Sequence, residues 1–221
     1  MKKILYILVS LSITGFVLVL ALGGYTIYQV VSGSHDHLKK EKIIEILSRE
    51  TLLFYDDGQT QLGSLFGQEH RIYVPIDEVP KIMQDAIISA EDESFYHNIG
   101  IDFKSTLRAA INNMISSSRQ GASTISQQTV KNLYGREKTN LYTKYVETIN
   151  ALKLERLYSK KQILEFYLNQ FHVTGNGRGI GIAAKYYFNT EVHDLSLVQA
   201  AFIAGSVKGP EKYDPFTKTS K

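Results

Sequence analysis

The sequence predicts a mainly α-helical body carried behind one N-terminal membrane-spanning helix, with a short β region between the two. Three observations predict this. No charged side chain occurs from Ile4 to Ser34, and a bilayer core about 30 Å thick needs only about 20 such residues. Strand and turn signals are confined to residues 50–76. From Pro80 onward, apolar residues recur at helical spacing.

The elements follow in order. Residues 1–3 form a cytoplasmic tail, because Lys2 and Lys3 stay inside by the positive-inside rule. Residues 4–31 form the transmembrane helix. A cleaved signal peptide would have a shorter apolar core and a small-residue cleavage site, and Ala21-Leu22-Gly23 matches such a site only faintly. Tyr25 and Tyr28 suit the outer interface. The remaining chain is then expected outside the cytoplasmic membrane. Residues 32–49 read as a polar connector, in which His35 and His37 are solvated rather than a metal tract.

Residues 50–79 are the β region. Apolar and aromatic residues flank Asp57-Gly58, a hairpin signal. His70 to Ile76 reads as another short strand before a turn at Asp77. Residues 80–216 form the main domain, and 217–221 a polar end. Pro80 suits a first helical turn. Met83, Ile87 and Ala90 then fall at i, i+4 and i+7 on one buried face.

That helix runs into "EDESFYHNIG", Glu91 to Gly100. The negative end of the helix dipole disfavours an ionised carboxylate there. A carboxylate so placed beside Phe95 suits a general base, whereas a solvated helix end is the bland reading of this stretch alone. Next comes a weakly amphipathic segment with Phe103, Leu107, Ile111, Met114 and Ile115 apolar. Ser123 is the expected N-cap of a helix that stops at Gly135. On it Thr124, Gln127 and Lys131 share one face, a row suited to an anionic, hydroxylated ligand or simply to solvent. A third helix places Val146, Ile149 and Leu152 at steps of three, with Glu147, Ala151 and Glu155 on another face. Ser159 and Gln162 form a capping box for the next helix. From Lys131 to Lys161 there are eight Lys/Arg against three Glu. Such a run is an ordinary solvated face, or in a tethered protein a contact for lipid head groups.

Glycines 175, 177, 179 and 181 lack the preceding strand and following βαβ unit of a dinucleotide site, so they serve tight turns and close helix packing. The stretch from Asp194 to Val207 reads as a last buried helix. The chain has no cysteine, which excludes a disulfide scaffold and a thiolate metal site. A net charge of +3 is too small to imply nucleic acid.

Five motifs now stand in order: "AEDESFYHNIGID", "GASTISQQTVKNLY", "TKYVETINALKLER", "SKKQILEFYLNQ" and "GIGIAAKYYF…LSLVQAAFIAG". Together, over roughly residues 70–216, they resemble glycosyltransferase family 51. This is the peptidoglycan glycosyltransferase module of class A penicillin-binding proteins and of monofunctional transglycosylases. The resemblance implies a lysozyme-like large lobe and a small membrane-associated lobe, part of which is the 103–116 segment. It implies Glu91 as the catalytic base and Glu147 as the family's second glutamate. It places Lys131 on the donor pyrophosphate, and Ser123, Thr124, Gln127 and Gln128 in the same substrate-binding motif. Asp92 and Phe95 shape the setting of the base. The family's histidine stands as Asn98 here, and the arginine before the second glutamate as Thr143, leaving Lys144. A further arginine stands as Thr139, where Lys138 or Arg136 substitutes. The glutamate of the last motif is Gln199. No Ser-x-x-Lys occurs in the chain, so no transpeptidase is expected in it.

The implied reaction polymerises lipid II into β-1,4-linked glycan with release of undecaprenyl pyrophosphate, by base-assisted inverting displacement. The implied partners are lipid II, the growing glycan chain, the bacterial cytoplasmic membrane and other cell-wall synthesis proteins, with no nucleic acid. The implied location is that membrane, crossed once, with the catalytic domain on the outer, periplasmic side. No cofactor is required. A divalent cation (Mg or Mn) near Glu91 and Asp92 is compatible with the spacing without being implied by it. The rivals are a lytic enzyme cutting finished glycan, which has no use for cations at a pyrophosphate, and a membrane scaffold of the same fold. Incubation with lipid II separates them.

Overall fold

The computed structural model describes residues 2–47, 50–54, 61–66, 70–115, 121, 123–135, 140–175 and 177–216. These fall into two units, Met1–Asp36 and His37–Lys221.

The first unit is α1 (Lys2–Ser32), 31 residues long, which rises about 46 Å. Leu11, Phe16 and Leu20 are more than half exposed. Within it, Tyr6–Ser32 is the one helix among the described residues long and apolar enough to cross a membrane, with mean hydropathy 2.3.

The second unit opens on helix rather than on a bare connector. The polar connector expected at 32–49 contains α2 (Lys40–Leu47), and Leu38, Ile43 and Leu47 are 0% exposed. The many charges of this stretch hid its short apolar stripe. His37 is not simply solvated either. Its Nε2 lies 3.1 Å from Asn150 Oδ1, its carbonyl accepts from the Tyr134 hydroxyl, and the carbonyl of Leu38 accepts from Tyr158 at 2.6 Å. Burial pushes the Tyr134 hydroxyl up to about 12.

Strands β1 (Glu50–Phe54) and β2 (Gln61–Phe66) pair antiparallel, with Glu50 opposite Phe66. The turn expected at Asp57-Gly58 lies outside the described residues. A second sheet was not expected. In it β3 (His70–Arg71) lies parallel to β5 (Gly177–Arg178), which pairs antiparallel with β4 (His172–Thr174). Strands of two or three residues show no alternation to read, and the partner of β3 is about a hundred residues away.

The helices are α3 (Lys81–Glu91), α4 (Phe103–Ile115), α5 (Ile125–Tyr134), α6 (Leu141–Leu157), α7 (Lys160–Leu168), α8 (Gly179–Phe188), α9 (Leu197–Ser206) and a short α10 (Pro210–Tyr213). The helix expected to be last is therefore followed by one more turn. Three of the starts carry a capping box: Thr124 with Gln127, Ser159 with Gln162 and Ser196 with Gln199. Each satisfies two otherwise orphaned donors. The box at α5 corrects the expected cap, which is Thr124 and not Ser123. Gln199 shows why glutamine serves at its position, since its Oε1 accepts from Ser196 N at 2.8 Å.

Helix α7 is the middle of the core. Ile163, Leu164, Phe166, Tyr167 and Leu168 are all 0% exposed. Around it α5 packs on α6 and α7, and α3 packs on α9. Polar side chains of α7 also tie down the stretch before α3. Glu165 accepts from Tyr73 and from Ile76 N, and Asn169 pairs with both backbone groups of Val74. Two glycines earn their place at α8. Gly179 has φ +83° with the backbone of Asn169 2.9 Å from where a Cβ would stand, and at Gly181 that position is 2.6 Å from Ile72 O.

The faces read from the sequence for α4 and α6 meet different surroundings. The apolar stripe of α4 is exposed, with Phe103 at 67%, Leu107 at 63% and Ile115 at 82%. The buried residues of α6 are Glu147, Ile149, Ala151, Lys153 and Leu154, so Ile149 of the stepped apolar set is covered while Val146 is 36% exposed. The basic run is no single solvated face. Lys153 is buried, which lowers its pKa, Lys160 pairs with Glu155 at 2.6 Å and Lys161 pairs with Asp77.

Candidate active site

Helix α3 ends at Glu91, with Asp92 as its C-cap. The apolar face of α3 is pinned by Met83 and Ile87, both 0% exposed, so its last turn is held at the edge of a cleft of about 580 Å³. Glu91, Asp92, Ser123 and Thr124 line that cleft.

Asp92 is only 8% exposed, yet its carboxylate is fully engaged. It accepts from the Ser94 hydroxyl at 2.9 Å, from Asn98 Nδ2 at 3.0 and 3.1 Å, and from the backbone N–H of Ile125 at 3.0 Å. The last bond reaches the first turn of α5, where a helix favours a negative charge. Asp92 thereby clamps the end of α3 to the start of α5. Asn98 completes the clamp. It donates to Asp92, accepts from Gly100 N at 2.9 Å, and its carbonyl accepts from Lys160 at 2.7 Å. An amide at this position keeps the donor that a histidine ring would supply.

The clamp brings α5 beside Glu91. Gln128 Nε2 donates to Glu91 Oε2 at 2.8 Å, and Glu91 Oε1 is buried with no hydrogen-bond partner. Thr124 donates to Gly100 O at 2.7 Å and caps α5. Gln127 donates to Thr148 at 3.2 Å, and Lys144 donates to Ser123 at 2.9 Å while reaching Gln127 Oε1 at 3.4 Å and Glu147 at 3.6 Å. The row of Thr124, Gln127 and Lys131 is thus divided. The first two are buried and occupied by the protein, and only Lys131 is exposed.

Other expected residues fall elsewhere. Phe95 is 0% exposed, under the turn, with Lys160 Nζ 4.7 Å from its ring centroid. It shapes the turn from below and does not touch the cleft. Glu147 is 6% exposed and is not among the described residues that line the cleft. Thr143 supports the start of α6, its N–H donating to Asn140 at 2.8 Å. Lys138, Arg136 and Thr139 lie outside the described residues.

Sequence reasoning missed several groups at the cleft: Asp102, Lys104, Arg108 and Lys208. Lys104 and Arg108 stand one turn apart on α4, a spacing readable in the sequence. Lys208 follows α9, more than a hundred residues from Glu91, and no local pattern marks it. Asp102 accepts from Ser105, chiefly its side chain and then its backbone, and these bonds lower its pKa. Among the described residues no group of three or more His, Asp and Glu is placed to hold a metal ion.

Glu91, Asp92, Glu93 and Asp102 share this cleft with Lys104, Arg108 and Lys208, so acidic and basic groups line one cavity. Comparison with known proteins gives the class of protein. The transglycosylase family model matches residues 58–221. Penicillin-binding protein 1A of Neisseria flavescens is 39% identical over 170 residues, 76% of this chain and 21% of that protein. The Aquifex aeolicus protein of the same name is 40% identical over 161 residues, 72% of this chain and 22% of its own length. Penicillin-binding protein 1F of Bacillus subtilis is 36% identical over 221 residues, 100% of this chain and 30% of that protein. This chain belongs to the transglycosylase family. It spans between a fifth and a third of the length of these relatives.

Proposed function

We propose that this chain is a peptidoglycan glycosyltransferase that polymerises lipid II, with Glu91 as its general base. One observation carries the reading. Glu91 stands at the cleft edge with Oε2 held by Gln128 and its neighbour Asp92 locked in place. The acceptor's GlcNAc 4-hydroxyl attacks the anomeric carbon of the donor MurNAc and gives its proton to Glu91. Undecaprenyl pyrophosphate leaves from the opposite side, so the α-linkage becomes a β-1,4 bond. A sugar hydroxyl is a poor nucleophile, and base assistance contributes roughly 10²–10⁴ in rate. Cations offset the charge on the leaving pyrophosphate. Lys131, exposed on α5, and Lys138 serve there. Glu147 acts by holding Lys144 beside Ser123 and Gln127.

The lysozyme-like large lobe is the α3, α5–α9 body. The small lobe centres on α4, whose exposed Phe103, Leu107 and Ile115 suit a lipid surface. With α1 as the anchor, the cleft faces the outer side of the cytoplasmic membrane, where lipid II and the growing glycan are met.

The test is Glu91→Gln, which keeps the size of the side chain and removes its ability to take a proton. Polymer formation from labelled lipid II in detergent is expected to fall at least a hundredfold while lipid II binding and the circular dichroism spectrum stay unchanged. A folded variant that polymerises near the wild-type rate overturns the assignment. Cut sacculi with lipid II unchanged would mark a lytic enzyme instead.

A further inference from the structure

Helix α5 is held by tertiary bonds at both ends. At its start, Asp92 accepts from Ile125 N at 3.0 Å. At its finish, Tyr134 is the last helical residue, and its hydroxyl donates to the carbonyl of His37. Between these ends stand Gln128, bonded to Glu91, and Lys131, in the last turn. The last four carbonyls of a helix have no partner within it, so the surroundings of the last turn decide how firmly it is held. Its inner side is packed through Val130 and Leu133, 3% and 7% exposed. Its outer side meets His37.

That meeting involves more than one bond. The rings of His37 and Tyr134 lie edge to face, with centroids 5.4 Å apart and planes at 76°, a favoured aromatic geometry. His37 Nε2 is 3.1 Å from Asn150 Oδ1 on α6. The next residue, Leu38, is 0% exposed, and its carbonyl accepts from Tyr158, the C-cap of α6, at 2.6 Å. Two successive carbonyls thus accept from tyrosines at the C-terminal ends of α5 and α6. Burial is the first cause that raises the pKa of each hydroxyl, so both keep their protons and donate at neutral pH.

We propose that Tyr134 is a positioning residue for the transfer: its bond to His37 holds the last turn of α5 so that Lys131, three residues back, stands at the donor pyrophosphate. This rests on the reading of the chain as a lipid II polymerase. Residues three apart are neighbours on a helix surface, and Lys131 is exposed while Tyr134 is 40% exposed. A cation on a loose last turn is spread over more positions, so it holds an anion less well. The lysine meets the pyrophosphate both before and during transfer, so the loss falls on substrate binding and not on turnover. Gln128 is three residues from the clamped Ile125 and six from Tyr134, so the base keeps its setting.

The experiment is steady-state lipid II polymerisation by the 221-residue chain in detergent, with two single variants. Tyr134→Phe removes one hydroxyl from a partly exposed ring while Val130 and Leu133 keep α5 packed, so it folds, and circular dichroism checks this. Its KM for lipid II is expected to rise about fivefold with kcat unchanged. Tyr158→Phe removes the neighbouring bond to Leu38, which does not involve α5, and its KM is expected to stay at the wild-type value. An unchanged KM in folded Tyr134→Phe overturns the proposal. So does an equal rise in both variants, which would make the effect one of a loosened connector rather than of α5. A fall in kcat alone overturns it too, since the loss would then lie at the base. Failure of the functional reading is distinct, because it shows as full activity in Glu91→Gln, while the two KM values are still read.

Discussion

Glu91 and Asp92 are adjacent carboxylates with different surroundings. Asp92 spends both oxygens on protein donors, including a main-chain N–H at the start of α5. Glu91 accepts a single bond at 2.8 Å and keeps the rest of its accepting capacity. The difference fits a clamp at Asp92 and the base proposed at Glu91. Asp92→Ala is expected to cost about 1–3 kcal/mol of stability, because it strands the buried N–H of Ile125 and the Asn98 amide. Urea unfolding measures it, and a change within error would mean the clamp is dispensable. Asp92→Asn keeps half of the bonds and should lie between Ala and the native residue. Asn98 is the same lesson in smaller form. Its two donor hydrogens serve Asp92, so the position keeps its bond without a ring.

At the scale of elements, α2 is the least obvious. Its eight residues carry four charges, yet Ile43 and Leu47 belong to the buried core. Burial of such side chains gives the element its stability, since eight residues are too few to form a helix alone. Ile43→Ala is expected to destabilise the second unit by about 2–5 kcal/mol, whereas Glu45→Ala on the exposed side should stay within about 0.5 kcal/mol. Equal, small effects in thermal melts would return the stretch to a connector. Helix α4 shows the opposite case. Its stripe is as regular as that of α3, but Leu107 is 63% exposed where Met83 is 0%.

At the scale of the molecule, the chain combines one apolar helix of bilayer length with a helical body. The lysines before the span and their absence within it predict the orientation. A periplasm-active reporter fused after Lys221 is expected to be active, and a cytoplasm-active one silent. The reverse result would place the cleft on the wrong side for lipid-linked substrate exported from the cell. The body itself is organised to hold one short segment, Glu91 to Gly100, between α5, α6 and α7. Polar ties do much of this: Asp92 to α5, Asn98 to Lys160 and Thr124 to Gly100.

By itself the sequence determined the helical body, the apolar first helix, the capping box at Ser159 and the placing of Glu91 at a helix end, because each is a local pattern of period, cap or charge. The five ordered motifs likewise carried the family, which the transglycosylase match bears out. Only the tertiary structure decided what meets Glu91. Gln128 is 37 residues away, and Lys208 follows a helix with no polar signal of its own. It also decided which apolar stripes are covered, burying that of α2 and exposing that of α4. The physical reason is common to both. Periodicity in a chain says which face of a helix is apolar, but the partner of that face, or of a carboxylate, is chosen by packing between segments distant in sequence. The same packing turned α6 so that Glu147, and not Val146, faces inward.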